Sequence, residues 1–356
     1  MQMVADKSEV KENLAPIIKD KLKPFVKKID AEAYYAEDFL TDLGKTGLTN
    51  SNGIQTSEVL EHEMLIVEET AKTCMTTAFN LWCHLASLTY LRNSDNHYLK
   101  KELLPSLEKG EFLGGTGLSN PMKYYAGLEP LHLRAERREG GFVISGNLPS
   151  VSNLKGNHWF GVIASLNDDK QIMAYIPCDA DGLTLKEKAN YLGVNGSATY
   201  ACKFDNVFIP DDWIISSDAE NFIVHVRPAF VLYQISLGLG VTSAVIESIK
   251  KAPGKQGGVN KFLSIQPDEL EQDYFILKEK ITSILERNEL KDAWKEILQV
   301  RLDIDKLTIK AAHGDMLHYG GAAYLEKSHP FRRLRESYFL INLTPTEKHL
   351  EKLLSK

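Results

Sequence analysis

The sequence predicts a mostly helical α+β chain in three parts. An N-terminal helical domain covers residues 1–112, a middle antiparallel β-barrel or sandwich domain residues 113–217, and a C-terminal four-helix-bundle domain residues 218–356. Three observations carry this division. Apolar residues recur at spacings of three and four through the first part, the period of a helix. From Glu111 glycines and alternating β-branched residues take over. Beyond Asp218 the helical pattern returns.

In the first part, VADKSEVKENLAPIIKDKLKPFVKKIDAE is charged and helix-like and has no apolar core of a secretory leader. Ser57 is placed to cap the next helix. The segment VLEHEMLIVEETAKTCMTTAFNLWCHLASLTYLR reads as one amphipathic or buried helix, and Ser94 or Asp95 opens the one through HYLKKELLPSLEKGE. In the middle part, Gly140-Gly141 between LHLRAERRE and FVISG is a hairpin signal, and Asn167-Asp168-Asp169 between FGVIASL and QIMAYIP is another. In the third part, the apolar stretch Ala229 to Val245 is interrupted by Tyr233, Gln234 and Ser236, which predicts a buried helix and not a membrane span. DELEQDYFILKEKITSILERN and the stretch from Lys291 to Leu317 are amphipathic, and a glycine-rich break from Pro253 to Gly258 separates the first two helices.

Composition narrows the function classes. Of 356 residues 43% are hydrophobic and 25% charged, as in an ordinary globular protein. A net charge of -6 argues against a nucleic-acid face, which needs clustered Lys and Arg. The four cysteines Cys74, Cys83, Cys178 and Cys202 lack metal-site spacing, so no metal is expected. Read on one helix, Cys74 and Cys83 fall on opposite faces. Free buried thiols predict a cytoplasmic protein.

The order helix, sheet, helix, with its particular junctions, resembles the acyl-CoA dehydrogenase superfamily over nearly the whole chain. LLPSLEKGEFLGGTGLSNP is similar to the family's stretch ending in a Thr-Glu-Pro turn, here Ser119-Asn120-Pro121. The resemblance implies that Leu118 and Ser119 meet a flavin's pyrimidine end. GNLPSVSN resembles the family's Asn-Gly-x-Lys-x-Trp-Ile-Thr-Asn segment, which places Val151 and Ser152 near the flavin's reactive edge and Ser150 where a Trp normally stacks. LGVNGSATYACKFDNVFIPDDWII resembles the sheet's last long strand, with Asn195 at the family's Arg. Leu317-His318-Tyr319-Gly320-Gly321 followed by RRLRE resembles the Gln-x-x-Gly-Gly element and its Arg-Asp helix. The implied cofactor is FAD, with FMN as the alternative. Each serine also has an ordinary explanation as a turn residue, and the glycine pair as a helix cap.

The catalytic base is where the sequence departs. Counting from Arg335-Glu336, the family's Glu falls at Thr344, with Asn342 or Pro345 the alternatives, and none is a carboxylate. The other usual source, the first helix of the last domain, has no Glu or Asp between His225 and Gly240. Glu347 is the nearest carboxylate in the chain. The Arg-x-x-Phe-Gly element that grips a neighbouring subunit's flavin pyrophosphate is missing from KKAPGKQGGVNKFLSIQ, and Leu317 replaces the adenosine-facing Gln.

Three readings stay open. The first is a flavin-dependent oxidoreductase resembling acyl-CoA dehydrogenases, with Glu347 as base, acting on an acyl-CoA or a smaller substrate that the tyrosine-bearing loop Met122 to Ala126 admits. The second is a flavin-dependent monooxygenase using reduced flavin and O₂, with His84 steadying the peroxide. The third is a non-catalytic relative. A lone His on an apolar helix is more often a core residue, and Glu347 opens a charged, solvated helix. The resemblance also implies a homodimer or homotetramer and a redox partner, either an electron-transfer flavoprotein or a flavin reductase.

Overall fold

The computed structural model describes residues 7–167, 169–252, 254, 256–287 and 289–355. Asp168 of the second predicted hairpin turn, Pro253 and Lys255 of the glycine-rich break, and the first residues of the charged N-terminal stretch lie outside the described residues.

The first part is helical: α1 (Lys7–Ile17), a π-turn segment (Ile18–Leu22), α2 (Val26–Ala31), α3 (Glu37–Lys45), α4 (Thr56–Thr73), α5 (Met75–Asn93) and α6 (Leu104–Glu108). The long segment expected as one helix is two. Cys74 is extended (φ -155°, ψ 109°) and breaks it. Four threonines flank the break, and β-branched residues are weak helix formers. Thr70 Oγ1 bonds back to Ile66 O (2.7 Å), a contact that bends helices. Cys74 and Cys83 therefore do not share a helix, and both thiols are free and buried. The helix start is also earlier than expected. Gln55 is the cap residue, so Ser57 lies within the first turn of α4.

The sheet comprises β1 (Gly114–Thr116), β2 (Leu133–Arg138), β3 (Gly141–Val151), β4 (Trp159–Ser165), β5 (Gln171–Pro177), β6 (Leu183–Glu187), β7 (Tyr200–Pro210) and β8 (Ile214–Ser216). Its order is β6-β7-β3-β2-β4-β5-β8, with β1 pairing β4. Most pairings are antiparallel, but β1–β4 and the single β2–β4 contact are parallel. The Gly140-Gly141 hairpin forms as expected: Arg138 pairs Gly141, and Gly140 takes φ +73°, which suits glycine. The sheet has a core of its own around Ile144, Phe160, Val162 and Phe204. Between β1 and β2 the tyrosine-bearing segment is a short helix, α7 (Ser119–Tyr125), and not a loop.

The last part holds α8 (Ala219–Lys250), α9 (Pro267–Leu285), α10 (Trp294–Tyr319), α11 (His329–Leu340) and α12 (Glu347–Leu354). Asp218 caps α8 by accepting from Asn221 N (3.1 Å). By length and composition α8 could cross a membrane, yet 89% of its most apolar window is buried in the protein, as a core helix requires. It packs on α4, α5, α9, α10 and α11. Fold class and part order are as the sequence predicts.

Candidate functional site

The site begins at β1, the strand that delivers Leu118 and Ser119. Side chains of α5 hold β1. Ser87 Oγ donates to Gly115 O (2.8 Å), Tyr90 and Thr116 share a hydroxyl bond (2.7 Å), and Gly114 N donates to His84 Nδ1 (3.1 Å). Thr116 then bridges Ser152, and Ser152 Oγ meets Thr199 Oγ1 (2.7 Å), which meets Ser197 Oγ (2.7 Å). The two serine segments singled out by sequence are thus brought together across one strand edge. Leu118 and Val151 are each 1% exposed, backbone included, whereas Ser119 is exposed and Ser152 half-buried.

Ser119 is the first residue of α7, and its hydroxyl lies 2.9 Å from that of Thr344, the position at which the resemblance expects the family's base. Beneath Thr344 runs a polar chain that sequence reasoning did not find. Gln234 Nε2 donates to Thr344 O (2.8 Å), and Arg301 Nε donates to Gln234 Oε1 (3.1 Å). Arg301 also donates to Leu340 O (2.8 Å) and pairs with Asp305. Arg301 and Asp305 are both fully buried. Burial pushes the Asp305 carboxyl up to about 6; Arg301 opposes this, and the charge of Glu347 adds to it. The available signals were Gln234 interrupting an apolar helix and the Arg301/Asp305 spacing of four, which also describes a surface pair.

His84 is 2% exposed, and its Nδ1 accepts from β1, which leaves the proton on Nε2. Burial, with the nearby His158 and Arg92, pulls it down to about 3, so the ring is neutral. This is the geometry of a core histidine that clips a strand. Glu347 lies half-buried in the first turn of α12, and its backbone N donates to Ile341 O (2.9 Å). Gly320 ends α10 at φ +55°, ψ -133°, and a side chain on Gly320 or Gly321 would meet nothing within 4 Å. The pair is a helix end open to the surface. Asn195 bonds Tyr191 in both directions, and Ser150 is exposed with its hydroxyl donating to Pro149 O (2.8 Å).

The space between α5, α8 and α11, next to this site, is filled by aromatic rings. Phe79 stacks on Trp82 (5.5 Å) and meets Phe339 edge-on (4.7 Å), while Trp82 meets Phe230 edge-on (4.7 Å).

Residues 5–111 match the family described as acyl-CoA dehydrogenase, N-terminal domain. The chain is 26% identical over 222 residues to a mitochondrial isovaleryl-CoA dehydrogenase of Solanum tuberosum. That match covers 58% of this chain and 53% of the potato enzyme, so it spans about half the relative's length. Among solved structures, butyryl-CoA dehydrogenase from Megasphaera elsdenii superposes with a TM-score of 0.88 over 100% of this chain and 98% of that one, at 14% identity. KijD3 in complex with FMN and a dTDP-linked amino sugar superposes at 0.78 over 100% and 94%, at 16% identity. The part order, the mixed sheet between two helical groups and these likenesses agree: the chain has the acyl-CoA dehydrogenase fold, and its residues 5–111 are similar to that family's N-terminal domain.

Proposed function

We propose that this chain is a flavin-dependent oxidoreductase of acyl-CoA dehydrogenase type, acting on a compact acyl thioester. The observation that supports it is the 2.9 Å contact between Ser119 and Thr344, which joins the proposed flavin edge to the family's base position. A flavin fits at its ring end. The Ser119 and Ser152 hydroxyls are paired only to other hydroxyls, which can rotate to serve a ligand. At the adenine end this chain has Leu317, 40% exposed, and an open glycine pair, so FAD or FMN would be held mainly by its ring. A bound flavin supplies a hydride acceptor.

The residues of the chain do the rest. Ser119 and Ser152 orient the ring, each next in sequence to a buried apolar residue, Leu118 or Val151. Gln234 and Arg301 fix the Thr344 backbone from beneath. The aromatic cluster limits the length of the acyl group. Removing an α-proton needs a carboxylate, and Glu347 is our assigned base because it stands on the turn just after Thr344-Pro345. Electrons would leave to an electron-transfer flavoprotein, from a cytoplasmic homodimer or homotetramer.

Position 344 provides the test. Thr344→Glu puts a carboxylate against Ser119 and is expected to raise acyl-CoA dehydrogenation at least about tenfold, while Glu347→Gln lowers it by about 10²-fold or more. No gain in the first and no loss in the second would overturn the assignment. A second reading, a monooxygenase fed by a flavin reductase, is favoured by the hydroxyl at 344 and by the FMN held in KijD3. It predicts O₂-dependent turnover with reduced flavin that Glu347→Gln leaves unchanged.

A further inference from the structure

A cavity of about 1130 Å³ opens between the N-terminal helices and the C-terminal bundle. Its walls are α1, the π-turn segment, α2, the end of α4, the C-terminal half of α8 and the start of α11. It is not the Ser119–Thr344 site. On α8 it is lined by Glu247 and Ser248, while Gln234 serves the other site, and those thirteen or so residues amount to about 20 Å of helix.

The chain is acidic overall, yet this cavity is cationic. Nine Lys and Arg side chains line it against three carboxylates. Those carboxylates are already engaged: Glu69 with Lys11 and Lys72, Glu247 with Lys251, and Asp30 with Arg335. Lys19, Lys23, Lys27 and Lys327 have no carboxylate partner among the described residues. The N-terminus of α11, a helix of 12 residues, adds its positive end. Ser328 caps it by accepting from Phe331 N (3.2 Å), and Ser328, His329 and Pro330 lie in the wall. His329 records the same field, because partial burial and then Arg333 hold it below its ordinary value. Beside the charges lies an apolar strip, Leu14, Ile18, Val26 and Ala244, with the ring of Tyr319 at one side.

We propose that this cavity binds a nucleoside polyphosphate. Its phosphates lie against Lys19, Lys23, Lys27, Lys327 and the start of α11, and its nucleoside lies on the apolar strip beside Tyr319. Four unpaired ammonium groups around one concavity repel one another, and a polyanion removes that repulsion. At the start of α11 Pro330 has no N–H and Phe331 N serves Ser328, so the helix end contributes one backbone donor, His329 N, to a phosphate oxygen. The strip calls for an apolar, planar portion that a bare polyphosphate lacks. The volume of about 1130 Å³ lies just above the roughly 300–1,000 Å³ of ordinary small-molecule sites, which leaves room for a nucleotide and its water. This inference does not depend on the flavin reading.

The test is calorimetric titration of the full-length protein with ATP and, separately, with tripolyphosphate. The expected result is saturable 1:1 binding of ATP, at least tenfold tighter than tripolyphosphate. Lys23→Glu with Lys27→Glu, and separately Lys327→Glu, should weaken it tenfold or more, and Ser119→Ala should leave it unchanged. In the unmodified protein, ATP should shield Lys23, Lys27 and Lys327 from acetylation, a readout that needs no variant. Absence of saturable ATP binding, equal affinity for tripolyphosphate, indifference to the charge reversals, or binding lost in Ser119→Ala would each overturn the proposal.

Discussion

Asp305 and Arg301 face each other with no water-exposed surface, four residues apart on α10. Such a pair is costly to desolvate, and its value lies in what it holds, here the Gln234 amide and through it the Thr344 backbone. Because the folded Asp305 carboxyl sits near 6 and its free value is 3.8, the folded protein holds a proton there that the unfolded chain has released. Stability from this group is therefore fully present below pH 4 and is lost as pH rises through 6. Relative to Asp305→Asn, the thermal midpoint of the native protein should fall between pH 4 and 6 and stay level above. A difference that does not change with pH would contradict the burial argument. His84 has the opposite sign. Its folded value of about 3 lies below the ordinary 6.5, so its contribution is present above pH 6.5 and is lost as pH falls toward 3. His84→Phe should flatten that acid limb and leave Gly114 N without an acceptor, at about 1–3 kcal/mol. Chemical denaturation of both proteins at pH 7 and pH 5 measures it.

Among the elements, β1 is with β8 one of the two shortest strands, and the side chains of α5 pin it closely. A Cβ on Gly114 would lie 2.4 Å from Ser87 Cβ and 2.6 Å from the Tyr175 hydroxyl. Gly114→Ala must lift β1 off α5, and Ser119 moves with it. We expect a loss of about 1–3 kcal/mol, together with weaker flavin retention, measured by thermal unfolding and absorbance. The elements also mark where the sequence was legible. The glycine pair at 140–141 announced its hairpin because the turn demands a backbone that few other residues adopt. The break at Cys74 was hidden, because threonines lower helix propensity only slightly and the apolar pattern runs across the junction. The helix at Ser119–Tyr125 was hidden because its neighbourhood, SNP after a glycine run, reads as turn chemistry. At the site, the serines were visible through resemblance. Gln234, Arg301 and Asp305 were not, since a buried polar chain forms only when helices distant in sequence converge.

At the scale of the whole molecule, the two proposed sites share one scaffold. One lies at the sheet edge under Thr344 and the other between α2 and α11. The helix α8 touches both, and its stretch from Phe230 to Thr242 is buried. Apolar side chains remain outside near the end of α10: Tyr324 is 84% exposed, Leu325 67% and Phe262 77%. Asn260 ties the Phe262 segment to His318 O (3.0 Å), so this surface is continuous with the open glycine pair. An exposed apolar patch of this kind suits burial by a second copy of the chain, in keeping with the proposed oligomer.

The central claim is that the edge formed by Ser119 and Ser152 holds a flavin. Its most direct test is the visible absorption spectrum of the purified protein after incubation with excess FAD or FMN and desalting. The account predicts retained peaks of oxidised flavin that Ser119→Ala and Ser152→Ala each diminish, without loss of the folded thermal transition. A colourless protein with either cofactor, or retention indifferent to both substitutions, would contradict it.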